Sequence, residues 1–153
     1  FGLTTGQIKE GLASFQGSLH RMKRLRFGSV TVIDDTYNSN PDGVRYALSH
    51  LKQLSGRKLC VLGDMLELGD IAETEHAALE ESLVDSGVSI VFTYGPLMRN
   101  LQSERIEVLH FDKKSSLHES LLAELKPKDS LLVKGSRSMN MEETVDAVSV
   151  FFQ

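Results

Sequence analysis

The sequence predicts an α/β domain: a mostly parallel sheet covered by helices on both faces, with one antiparallel edge strand. Two observations carry this. Short apolar runs rich in β-branched residues alternate with stretches of helical period along almost the whole chain. The first two strand-like runs, by contrast, are separated only by a tight glycine turn. No repeat, linker or low-complexity segment interrupts the pattern over 153 residues. One domain, 1–153, with its own core is therefore expected.

Taken in order, Thr4 and Gln7 are spaced as a capping box, and Ile8, Leu12 and Phe15 follow at helical spacing. Residues 21–26 are expected to pair with 29–34 as a hairpin turning at Phe27-Gly28, with Val30, Val32 and Ile33 as the apolar core of its second strand. Asn40-Pro41 marks a helix start, asparagine capping and proline at the first helical position. Val44, Ala47, Leu48, Leu51 and Leu54 then define its buried face. Strands follow over 58–62, 88–94, 106–111 and 131–133. Between them fall a helix from about 71 to a terminating Gly87, a short helix after Gly95-Pro96, and a helix capped by Ser115 or Ser116. In that last helix Leu117, Leu121, Leu122 and Leu125 share a face, and Asn140 with Glu143 resembles a capping arrangement before the terminal helix. The result is a Rossmann-like three-layer arrangement.

Composition narrows the function. A formal net charge of -4 argues against nucleic acid or an anionic membrane as partner. Lys23, Arg24 and Arg26 read as a solvated strand face in preference to an anion site. The single cysteine, Cys60, lies in an apolar run, which excludes an internal disulfide and fits a reducing, cytoplasmic compartment. No stretch approaches the ~20 apolar residues of a membrane span. The chain starts on Phe1 and not on methionine, as a fragment or excised domain would. Five histidines show no metal-ligand spacing, so no metal site is expected. Neither G-x-x-x-x-G-K-[ST] nor G-x-G-x-x-G occurs, so this chain does not supply the main phosphate cradle for a nucleotide.

Open α/β sheets bind ligands beyond the carboxyl ends of their strands. Three loops in those positions are polar beyond what a connection needs. In the first, residues 34–42, Asp34 and Asp35 suit ribose hydroxyls or hydrated magnesium, while Asn40 and Asp42 are explained by capping and turning alone. The second, 63–69, has glycines that allow close backbone approach and carboxylates at Asp64 and Glu67; a turn holding Leu66 and Leu68 is the slightly favoured account. The third, 134–138, combines Lys134, Gly135, Ser136, Arg137 and Ser138 into a phosphate or carboxylate site, although Lys134 is also placed to pair with the strand-end aspartates. Arg21 is suited to clamp a phosphate, or is a lone surface arginine.

The segments VIDDTYNSNPDG (32–43), VLGDMLELGD (61–70) and LLVKGSRSMNME (131–142), in this order and spacing, resemble the C-terminal domain of the Mur ligases, in particular members that add D-alanyl-D-alanine. The resemblance covers about 7–150. It implies a three-domain, monomeric, cytoplasmic enzyme using ATP and Mg2+, both held mainly by a central P-loop domain. It also implies UDP-N-acetylmuramoyl-tripeptide and D-alanyl-D-alanine as substrates, and no activity for this domain alone. By the same resemblance Arg21 reaches the ATP phosphates, Asp35 the ribose, and Asn38 the nucleotide or its junction with the amino substrate. Ser39, Lys134, Ser136, Arg137 and Ser138 face the dipeptide; the GDMLELG loop has no assigned role. Leu19-His20, Ser39 and Gly43 depart from the pattern, where Pro-Gly, alanine and serine are common. The competing readings are a sibling ligase with another amino substrate, a silent binding module, and a receiver domain. The last needs an aspartate after the strand that here ends Tyr94-Gly95-Pro96.

Overall fold

The computed structural model describes residues 2, 4–7 and 20–153. Six strands form one sheet: β1 (Lys23–Phe27), β2 (Val30–Asp35), β3 (Lys58–Gly63), β4 (Val88–Tyr94), β5 (Glu107–Phe111) and β6 (Ser130–Lys134). Their spatial order is β1-β2-β6-β3-β4-β5, parallel throughout except for the β1–β2 hairpin at one edge. The predicted sheet is therefore present, with the last strand inserted at its centre. Phe27 faces Val30, so the turn falls on Gly28-Ser29, one residue later than expected. Gly28 is the reason: its φ of 55° is the left-handed conformation that a two-residue hairpin needs at its first position. Lys23, Arg24 and Arg26 are exposed along this edge strand.

The central strands are buried on both faces, which is why they read as continuous apolar runs instead of alternating ones. Val32, Leu59, Val61, Leu131 and Val133 enter one core; Ile33, Cys60, Leu62 and Leu132 enter the other. Burial pushes the Cys60 thiol far above its ordinary value, leaving it an inert core side chain. On the Cys60 side packs α1 (Pro41–Lys52), burying Val44, Ala47, Leu48 and Leu51. Asn40 caps it as expected, accepting from the Gly43 N–H at 2.7 Å. Beside it lie α2 (Ala72–Ala77) and α3 (Leu79–Asp85), separated at Ala78 within the span expected as one helix. Gly87, at φ 71°, closes that span. On the opposite face pack α4 (Lys114–Glu124) and α5 (Glu142–Phe151), through Leu117, Leu121, Val145 and Val148.

Two capping expectations fail. α4 begins before Ser115, with Lys113 extended at its start and no side-chain cap. Asn140 and Glu143 form no capping box, because Asn140 is left-handed at φ 47° and the Glu143 carboxylate instead meets Lys114 Nζ at 3.0 Å. The Thr4–Gln7 box does form, with Thr4 N donating to Gln7 Oε1 at 2.9 Å and Gln7 N to Thr4 Oγ1 at 3.3 Å. Ile8, Leu12 and Phe15 lie outside the described residues. At the amino ends of β3 and β6, Arg57 grips Asp129 through Nε (3.2 Å) and Nη2 (2.8 Å) and also bonds the Glu124 carbonyl at 2.8 Å. This lock leaves the opposite, carboxyl edge to the polar loops. No helix among the described residues is long and apolar enough to cross a membrane.

Candidate functional site

Adjacent strand residues point to opposite faces, so the Asp34 and Asp35 carboxylates do not confront each other. Asp34 is buried, accepting from Thr36 N (3.2 Å) and Thr36 Oγ1 (2.7 Å) and pairing with His20 Nδ1 at 2.8 Å. Asp35 lies opposite Lys134 in the parallel β2–β6 register. Its Oδ2 receives Lys134 Nζ at 2.6 Å, and its Oδ1 receives the Met22 N–H at 3.1 Å. Tyr37 N closes the segment by donating to the His20 carbonyl at 2.9 Å.

The two aspartates thus hold the residues on either side of Arg21. His20 and Met22 sit at φ 57° and 48°, conformations that cost about 1–3 kcal/mol each and persist only where surroundings impose them. Arg21 is left exposed, its Cζ 4.0 Å from the centre of the Tyr37 ring, and no carboxylate pairs with it among the described residues. A cation held this way is presented outward.

Lys134 makes the internal pairing that its position at the strand end allowed. Its ammonium, 4% exposed, donates to Asp35 and to the Asn38 carbonyl at 2.7 Å, which ties the end of β6 to the first loop. The third loop is tied to the second in turn. Ser136 N donates to the Asp64 carbonyl at 3.0 Å, and Leu66 N donates to Ser136 Oγ at 2.8 Å. The crossing is close: a Cβ on Gly135 would stand 2.6 Å from Met141 Cγ and 3.2 Å from Gly63 Cα.

Asp64, expected as an acceptor in the second loop, and His76, which no sequence pattern singled out, together set the shape of that loop. Asp64 is buried and caps the short helix Leu97–Asn100, accepting from Leu97 N at 3.3 Å and Met98 N at 2.8 Å. Gly95 is required there, since a Cβ would meet the Asp64 carboxylate at 2.5 Å. His76 is fully buried; Nε2 accepts from Met65 N at 2.9 Å and Nδ1 reaches the Ala72 carbonyl at 2.6 Å. Those partners require a neutral imidazole with its proton on Nδ1. A buried histidine one helical turn after a carbonyl it can bond is visible only once the helix is built.

Two adjoining grooves result, with Tyr37 and Asn38 lining both. One, about 320 Å³, is lined by Arg21, Asp35, Asn38, Tyr46 and Lys134 among others. The other, about 450 Å³, is lined by Asn38, Leu66, Glu67, Ser136, Arg137 and Ser138 with Tyr37 and Asn140. The expected site residues therefore gather at one edge of the sheet, with Asn38 at the junction. Ser39 is the exception: it is buried, lines neither groove, and its hydroxyl has no hydrogen-bond partner among the described residues. Among the described residues no cluster of three His, Cys, Asp or Glu side chains is placed to hold a metal ion.

A mostly parallel α/β sheet whose carboxyl edge carries an outward arginine and two joined polar grooves has the chemistry to meet anionic and polar small ligands. The chain belongs to the Mur ligase, glutamate ligase domain family, which matches residues 20–137. It is 30% identical, over 95% of its length, to the UDP-N-acetylmuramoyl-tripeptide–D-alanyl-D-alanine ligase of Bacillus subtilis (strain 168). With the enzyme of the same name from Escherichia coli (strain K12) identity is 31% over 96%. The chain spans about a third of either relative, 34% and 33%. Among solved structures, a MurF ligase from Thermotoga maritima in complex with ADP superposes with a TM-score of 0.82 at 26% identity, covering 92% of this chain and 33% of that one. For a MurF from Acinetobacter baumannii the TM-score is 0.85 at 28% identity, covering 97% and 34%.

Proposed function

We propose that these residues act as the C-terminal domain of a three-domain, monomeric, cytoplasmic ligase that joins D-alanyl-D-alanine to UDP-N-acetylmuramoyl-tripeptide. The observation that carries this is the clamped Arg21, presented beside a groove in a chain with no P-loop of its own. ATP, when bound, supplies the phosphoryl group that activates the tripeptide carboxylate as an acyl phosphate. The residues here fit a phosphate contact through Arg21, whose full charge on a fixed strap lowers the energy of developing negative charge when the domain closes. They do not fit a magnesium site, because Asp34 and Asp35 are already engaged by His20, Thr36, Met22 and Lys134. The metal and most of the nucleotide belong to a separate domain in this reading.

The first groove then lies against the nucleotide, with Asp35 and Asn38 at its floor and rim. The second receives the dipeptide. There Ser136 shapes the wall, Ser138 offers a hydroxyl and Arg137 a cation for the terminal carboxylate. Lys134 acts on both grooves indirectly, through Asp35 and the Asn38 carbonyl. In the full-length ligase, Arg21→Ala is expected to lower kcat by about 10²–10³-fold, with the KM for D-alanyl-D-alanine nearly unchanged. A full-length enzyme that accepts a single amino acid and not the dipeptide would favour a sibling ligase. ATP turnover by the isolated 153-residue chain would overturn the dependence on a second domain.

A further inference from the structure

The second loop carries a strained residue whose side chain makes no polar contact among the described residues. Glu67 sits at φ 64°, a conformation that glycine adopts freely and that costs a glutamate about 1 kcal/mol or more. The backbone just before it is fixed, with Met65 N on His76 and Leu66 N on Ser136. The Glu67 side chain is exposed, and among the described residues no hydrogen bond or salt bridge reaches its carboxylate. Leu66 and Leu68 on either side are partly buried, Leu68 against the core on the Cys60 face, so the loop holds Glu67 in this conformation with its carboxylate outward.

Glu67 does line the second groove, together with Arg137. The Arg137 guanidinium is steadied by Nη1 on Glu142 Oε1 at 2.8 Å, and among the described residues no other side chain engages its remaining N–H groups. A groove with one fixed cation, one outward carboxylate, and walls from Leu66 and Tyr37 matches a small zwitterion with short apolar side groups. We propose that Glu67 is a specificity-determining residue that receives the ammonium end of the amino substrate whose carboxylate Arg137 receives. This rests on the reading that the groove admits D-alanyl-D-alanine. It adds a rule of exclusion: an acceptor with a second carboxylate near its amine is repelled by Glu67, and one lacking the ammonium forfeits the pairing.

The strain makes the test sharp, because glycine relieves the backbone while removing the carboxylate. In the full-length ligase, Glu67→Gly and Glu67→Gln are both expected to raise the KM for D-alanyl-D-alanine about tenfold or more, the size of a lost charge-assisted hydrogen bond. The melting temperature of E67G should equal or exceed that of the wild type. Calorimetric binding should show that the wild type prefers D-alanyl-D-alanine over its N-acetylated form, which has no ammonium, and that E67Q has lost the preference. An unchanged KM in E67G, with a raised melting temperature, would reduce Glu67 to a turn residue and overturn the inference. If the wild type ligates the dipeptide while E67Q retains the preference, this inference alone falls. If the wild type does not ligate the dipeptide, the proposed function falls with it.

Discussion

Replacing Lys134 by methionine keeps most of the side-chain volume and removes the one cation shared by the first and third loops. Lys134 and Asp35 side chains are 4% and 12% exposed, and their contact is 2.6 Å. Without the ammonium, Asp35 retains the Met22 N–H alone among the described residues, and the Asn38 carbonyl loses the Lys134 donor. Removing one partner of a buried ion pair costs about 3–5 kcal/mol. The remaining N–H and the slight exposure of Asp35 place this case at the lower end, about 3 kcal/mol. For a chain of this length that corresponds to a melting temperature lower by about 9 °C. Asp35→Asn combined with Lys134→Met removes both charges and should recover at least half of the loss, since no isolated carboxylate remains. Thermal melts of the four proteins, wild type, two singles and the double, measure the coupling directly. A shift under about 2 °C for K134M, or a double variant no better than K134M, would refute the assignment of Lys134 as an internal tie.

Arg57→Ala strips the lock at the other end of the sheet and leaves the buried Asp129 carboxylate without its cation; a loss of about 2–4 kcal/mol in urea unfolding is expected, and a neutral result would mean the lock is ornamental. Gly135→Ala forces a methyl to within 2.6 Å of Met141 Cγ and should cost about 1–3 kcal/mol, with partial recovery when Met141→Ala is added; stability unchanged by G135A would show that the two loops do not cross as tightly as described. His118 is held below its ordinary range by burial and by the Lys114 ammonium, with Glu143 opposing, while Nε2 meets Thr144 Oγ1 at 3.0 Å. A lowered folded pKa means the unfolded chain takes up the proton first. The His118 contribution is therefore complete above about pH 6.5 and lost as pH falls through the folded value. Urea midpoints at pH 8 and pH 5.5 should fall further for the wild type than for His118→Gln, and equal falls would contradict the sign.

Much of the fold is legible locally because its signals are local. Val32-Ile33 and Leu131-Leu132-Val133 announce strands buried on both faces, and each does feed both cores. Asn40-Pro41 announces a helix start from side-chain chemistry within three residues, and the bond to Gly43 N bears it out. Turn and cap details are less secure. Gly28-Ser29 and the uncapped start at Lys113 each differ by a residue or two from the nearest plausible signal. At those points sheet register and helix packing outweigh local preferences of comparable size.

The order of the apolar runs, the missing P-loop and the three polar loops were all determined by the sequence alone. Tertiary structure decided which polar groups remain available to a ligand. Lys134 and Asp35 are 99 positions apart in the chain, and only the insertion of β6 beside β2 makes them opposite neighbours. That pairing ties Lys134 to the first loop, and with the Asp34–His20 pair it holds the strap on which Arg21 stands outward. Ser39 is likewise indistinguishable in sequence from an exposed loop serine, and packing buries it. A side chain's chemistry is written at its own position, whereas its partners and its exposure are set by residues brought near it through folding.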